Sequence, residues 1–114
     1  MFVAEFYDLD GQEISYETWT KIFSGDQRFL AGTRIAEKGV RVSTVWIGLA
    51  WMLEGDTGDR PLIYETMVFE DDEGSWDDLA VYRWANREEA LEGHAEVVDS
   101  IRSGKLVFSL EQDE

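Results

Sequence analysis

Carboxylates dominate the chemistry this sequence can offer. Ten of them lie between Glu54 and Asp78, and Arg60 is the one base in that span. The densest part is Glu70-Asp71-Asp72-Glu73, with Asp77 and Asp78 after it, Asp56 and Asp59 before it, and Trp76 inside it. Two like charges ~4 Å apart repel by several kcal/mol in a surface-like dielectric before salt screens them. Such a cluster survives if its side chains splay into water, if it holds a cation such as calcium, or if a basic partner covers it. Asp56, Asp59, Glu70, Asp71, Asp72, Glu73, Asp77 and Asp78, with Trp76 as anchor, form the candidate partner-binding surface. A tryptophan inside an acidic loop is either tucked back on the core, the simpler reading, or exposed, where a rim of charge gives it the composition of an interface hot spot.

The other candidates are isolated. Asp8-Leu9-Asp10-Gly11 has the alternating oxygens and the glycine of a calcium-loop start, but the bidentate Glu is missing at the required distance. It reads as an Asx-type turn into a helix cap. His94, the single histidine, falls on the apolar stripe of a predicted helix, where a satisfied core residue is the simpler reading. Glu65 sits on a strand face otherwise made of Ile63, Met67 and Phe69, so it needs a partner or an opening. A cross-strand pair with Arg83 provides one; a pocket shared with His94 is the alternative, and would make the protein a small-ligand binder or an enzyme. No nucleophile motif, Walker loop, dinucleotide fingerprint or metal-protease helix is present. No catalytic residue, cofactor or metal ligand is therefore assigned.

Composition narrows the field further. The chain has 25 Asp and Glu against 10 Lys and Arg, a formal net charge of −15 over 114 residues. That excludes a general grip on nucleic-acid phosphates, which needs clustered bases. The absence of cysteine excludes disulfides, thiol catalysis and Cys-ligated metals. No apolar run approaches the ~18 residues of a membrane-spanning helix. Met1 to Asp10 lacks the basic start and apolar core of a signal peptide, so a cytoplasmic setting is expected.

The elements that must position these groups can be read from periodicity. Phe2 to Tyr7 predicts a strand, and Ser15 caps a helix carrying Tyr16, Trp19, Ile22 and Phe23 on one stripe. Arg28 to Ala36 and Val40 to Trp51 predict two strands joined at Glu37-Lys38-Gly39, the second apolar enough to be buried on both faces. Leu62 to Phe69 and Leu79 to Trp84 predict two more. Asn86 caps a second helix with Glu89 three residues on, and Ala90, Leu91, His94, Val97, Val98 and Ile101 form its apolar stripe. Lys105 to Leu110 suggests a last short strand. The expectation is one acidic α+β domain over residues 1–114: a single antiparallel meander of four or five strands with two helices on one face.

Three stretches carry a resemblance. Val42-Ser43-Thr44-Val45-Trp46-Ile47-Gly48-Leu49, then Pro61-Leu62-Ile63-Tyr64-Glu65-Thr66-Met67-Val68-Phe69, then Tyr82-Arg83-Trp84 leading to Glu88-Glu89-Ala90 and Gly93-His94 stand in this order. The set resembles a widespread family of small, uncharacterised bacteriophage and prophage proteins with VSTVWLG(L/I), PLIFETMVF and RY(A/S)TxEEAxxGH motifs. The match spans residues from about Gly39 to Val98. The chain departs from the family at Ala50-Trp51-Met52, where a His and an aromatic are usual, and at Glu70 to Glu73, where glycines are usual. The resemblance implies a phage or prophage origin and supplies no activity. Charge and origin together lead to one expectation: a small acidic inhibitor that presents carboxylates in place of phosphates to the basic surface of a host or anti-phage defence protein. Neither direct nucleic-acid nor membrane contact is expected, and the protein would be a monomer or a small homo-oligomer. A virion or other structural accessory role is the remaining alternative.

Overall fold

Buried and half-exposed residues alternate strictly along Val40–Trp46, the period-2 signature of a strand with one covered face. A computed structural model describes residues 2–53, 61–71 and 78–106. The chain runs β1 (Phe2–Tyr7), β2 (Glu13–Ile14), α1 (Tyr16–Phe23), β3 (Phe29–Ile35), β4 (Val40–Trp46), β5 (Leu49–Leu53), β6 (Tyr64–Glu70), β7 (Asp78–Trp84) and α2 (Arg87–Arg102). The fold is α+β, with every strand pairing antiparallel.

One expectation needs correction: there are two sheets where a single one was predicted. Strands β3-β4-β6-β7 form one, and β2-β1-β5 form the other. The apolar run Val40 to Trp51 does not stay in one strand. It breaks at Ile47-Gly48, where Gly48 takes φ 61° in the left-handed region that favours glycine. The amides of Ile47 and Gly48 both donate to the Ile63 carbonyl, at 2.8 and 3.0 Å, while the Gly48 carbonyl accepts from Tyr7 N at 2.9 Å. Gly48 thus hands the chain from β4, paired with β6, to β5, paired with β1. The space beside its Cα is filled by the Trp46 indole: an added Cβ would lie 2.1 Å from the ring.

Two clusters fill the interior, one under α2 and one where the two sheets meet. Helix α2 lies across the four-stranded sheet, and Val97, Val98 and Ile101 meet Ile35, Val40, Val42 and Val68 in one cluster. A second cluster gathers Tyr7, Trp46, Ala50, Ile63, Tyr64 and Ala90, with Trp19, Ile22 and Trp84 against it. Trp46 and Tyr64 are fully buried there; a buried tryptophan removes about 150–250 Å² from water, several kcal/mol in transfer free energy. Their polar ends are satisfied by the first turn, as Trp46 Nε1 donates to the Asp8 carbonyl at 3.2 Å and the Tyr64 hydroxyl to the Leu9 carbonyl at 2.5 Å. Helix α1 is shallower and buries no residue fully. Its Trp19 donates Nε1 to the Ile47 carbonyl at 2.9 Å and stacks between Tyr16 and Phe23, which stay exposed.

The local signals hold. The Asp8 carboxylate accepts from the Asp10 and Gln12 amides at 2.9 Å, an Asx-type turn. Ser15 and Asn86 cap α1 and α2 through Thr18 N and Glu89 N. The predicted strand from Lys105 lies outside the described residues from position 107 on. No helix of the described residues is long and apolar enough to cross a membrane.

Candidate functional site

Alternation along β6 decides where the candidate groups go. Tyr64, Thr66 and Val68 point to α2, so Glu65 and Met67 face the other way. On that helix-free face Glu65 stands opposite Arg83 in register, and its carboxylate accepts from Arg83 Nη2 at 3.2 Å. His94 projects from α2 onto the covered face. Glu65 and His94 are therefore on opposite sides of the sheet, and the shared pocket considered from sequence does not form.

His94 instead joins a buried relay. Its Nδ1 lies 2.7 Å from Thr44 Oγ1 and its Nε2 2.9 Å from Thr33 Oγ1; Thr44 Oγ1 is 2.6 Å from Thr66 Oγ1, which accepts from Trp84 Nε1 at 2.9 Å. An indole N–H can only donate, so Thr66 Oγ1 accepts from Trp84. One polarity consistent with this passes the Thr66 proton to Thr44 and the Thr44 proton to His94 Nδ1, with Nε2–H donating to Thr33; the reverse polarity pairs an Nδ1–H donor with Thr44, and the His94 tautomer decides between them. Thr44, Thr66, Trp84 and His94 all belong to the motifs that carry the phage-protein resemblance. In this chain those motifs converge on a structural chain of hydrogen bonds. No buried side-chain nitrogen or oxygen among the described residues lacks a partner.

Burial holds the His94 pKa below its ordinary 6.5. The folded state then binds fewer protons than the unfolded state, so stability is complete above 6.5 and falls as pH drops through that value, by up to about 1.4 kcal/mol per unit. Urea unfolding from neutral pH down to the upper edge of the carboxylate range is expected to show this slope. In His94→Gln it should vanish; identical slopes in the two proteins would remove the account.

The predicted anionic surface divides. Asp56, Asp59, Asp72, Glu73, Trp76 and Asp77 lie outside the described residues. Glu70, Asp71 and Asp78 stand at one end of the four-stranded sheet, where the Asp71 amide donates to the Gly39 carbonyl at 2.8 Å. Asp71 is matched internally, since Arg34 Nε donates to its carboxylate. Asp78 is exposed and Glu70 half-buried.

A second set of carboxylates was missed. Glu88, Glu92, Glu96 and Asp99 are all exposed on α2. Their spacing of four, four and three residues puts them on one outward stripe, each about 4.5–6 Å further along the axis. Its signal in the sequence is the i, i+4 spacing of Glu88, Glu92 and Glu96 along the predicted second helix. Between α2 and the edge strand β7 the surface is concave. One cavity of about 350 Å³ is lined by Tyr82, Trp84, Gly93, Glu96 and neighbours, and another of about 330 Å³ by Trp84, Glu89, Glu92, Gly93 and Glu96. The two share Trp84, Gly93 and Glu96. On the other flank of α2, Thr33, His94, Asp99 and Arg102 border a depression of about 500 Å³. No protein-family model matches the chain, and neither does any curated protein or solved structure.

Proposed function

We propose that the protein is a binding module whose carboxylate-bearing surface engages a basic surface of another protein. A phage-borne inhibitor of a host or defence protein that works on nucleic acid would act in this way. The stripe Glu88, Glu92, Glu96 and Asp99 carries the reading. Like charges at i, i+4 destabilise a helix by about 0.2–0.5 kcal/mol per pair, so the stripe opposes the stability of the element that bears it. The groups with catalytic potential support the same reading: His94 has both nitrogens engaged by threonines, and Glu65 is neutralised by Arg83.

The test couples two readouts. Neutralising the stripe beyond the first turn (E92Q, E96Q and D99N together, sparing Glu88, which the helix dipole favours) is expected to raise the unfolding free energy by about 0.5–1 kcal/mol. The same protein, immobilised, should lose the basic nucleic-acid-binding proteins that wild type captures from a bacterial lysate at low salt. Wild-type capture should weaken steeply as salt rises, since exposed charges are screened. Capture indifferent to both neutralisation and salt would overturn the proposal.

A further inference from the structure

Gly32, in the middle of the edge strand β3, has no use within its own chain. Its φ is not positive, and the irregularity of this strand lies before it, between Phe29 and Ala31. A Cβ added at Gly32 would meet nothing within 4 Å. A larger residue has room there and would hold the strand better; an interior glycine weakens a strand and often marks a place where another body comes close. Register shows what lies beside it. Gly32 pairs with Ser43, Ser43 with Met67 and Met67 with Val81, so these four form one uncharged row across the sheet, on the face that α2 leaves uncovered. The next row reads Phe29, Val45, Glu65, Arg83. Beyond the central row on the other side, Arg41 stacks on Phe69, which is already buried. Phe29 and Val81 are exposed, at 57% and 41%. The apolar residues of both helices belong to the clusters on the opposite side of the sheet.

The wet face of an antiparallel sheet is ordinarily polar. These two rows instead carry Phe, Val, Met and Arg, and aromatic, Met and Arg side chains are the ones enriched in protein interfaces. Glu65 is their one carboxylate, and Arg83 neutralises it. In a chain of net charge −15, this is where a second copy meets the least repulsion. We infer that two copies of the chain pack face to face through these rows, about a two-fold axis that runs along the strands between β4 and β6. Such a rotation keeps each row in place and reverses the strand order, so that β3 lies over the partner's β7 and β4 over the partner's β6. Along the central row Gly32 then faces the partner's Val81, and Ser43 the partner's Met67: a small residue meets a large one at all four points. In the next row Phe29 faces the partner's Arg83, and Val45 the partner's Glu65. Each charged residue meets an apolar one and keeps its own intrachain partner, and no charge meets its like. The α2 stripes point away from each other at the two ends of the pair. With strands ~4.8 Å apart and rows ~7 Å apart, the contact is smaller than a standard interface, so the dimer dissociates readily.

Sedimentation equilibrium of the full chain tests this from about 10 μM to about 1 mM, the range in which a small interface forms and dissociates. The mean mass should rise from the 13.1 kDa monomer towards twice that value. Raising salt from about 50 to about 500 mM should strengthen association by about threefold or more, because it screens the repulsion between two anions. That response is opposite in sign to the salt-weakened capture of a basic partner through the α2 stripe, so this contact and the proposed function can fail separately. Gly32→Gln fills open space, so it should leave the urea midpoint unchanged or higher while weakening association about tenfold or more. Ser43→Met should weaken it similarly, since Met then meets the partner's Met67. The double variant S43M/M67S restores a small residue opposite a large one and should regain most of the loss. A monomer throughout the concentration range at high salt would overturn the inference. So would a dimer that Gly32→Gln and Ser43→Met both leave intact, which would place the contact on another surface.

Discussion

Gly48→Ala is expected to lower the unfolding free energy by roughly 2–5 kcal/mol, the larger of the two main substitution effects. Two causes add. At φ 61° an L-residue meets steric resistance worth about 1–2 kcal/mol. The new Cβ would also lie 2.1 Å from a Trp46 ring carbon, a separation that forces the indole or the strand to move. Trp46 is fully buried and its Nε1 holds the Asp8 carbonyl, so displacement costs packing and a hydrogen bond together. Gly11 provides the comparison. It has φ 85° and open space around its missing Cβ, so Gly11→Ala should show the conformational part alone. Urea midpoints at constant slope measure both. Equal losses at the two positions would show that Trp46 does not constrain the crossover.

Gly93→Ala should destabilise by about 1–3 kcal/mol, in the direction opposite to helix propensity. Alanine in a helix interior is favoured over glycine by about 1 kcal/mol. Here the added methyl would fall 2.2 Å from the Trp84 ring, which Thr66 holds from the far side. Either the indole leaves, and Thr66 loses its donor, or α2 lifts from the sheet. A double-mutant cycle isolates the contact. In a Trp84→Leu background the ring is absent, so Gly93→Ala should become neutral or stabilising. The same loss in both backgrounds would place its cause elsewhere on the helix.

These two glycines also mark what the sequence could and could not convey. Local features were legible because their partners lie within a few residues: the Asp8 turn, the Ser15 and Asn86 caps, and the alternation along β6. The Glu65–Arg83 pair was legible because hairpin register follows from the strands on either side of it. The split into two sheets was not. Residues 49–53 pair with β1, more than forty positions earlier, and periodicity says nothing about a partner at that distance. Val40 to Trp51 reads as one strand because both of its halves are apolar, and a lone glycine within a strand signals a bulge as readily as a crossover. The concave surface beside Trp84 was hidden for a related reason. It exists because a helix glycine meets a strand tryptophan, a contact that no spacing rule encodes. The relay through Thr33, Thr44, Thr66 and His94 needed the register of β3, β4 and β6 before four separate polar residues could become one chain.

Three of the few cations, Arg34, Arg41 and Arg83, occupy the sheet face that α2 leaves uncovered. Arg34 and Arg83 sit there against Asp71 and Glu65, and Arg41 stacks 4.4 Å above the Phe69 ring. The outward stripe of α2 carries carboxylates on the opposite side. Among the described residues two of these three arginines are cancelled by their carboxylate partners, so the sheet face is far less anionic than the helix face. An approaching cationic body attracts the molecule and also exerts a torque, rotating α2 forward before the surfaces touch. Orientation would then be largely settled during diffusion, and encounters through the sheet face would be rare.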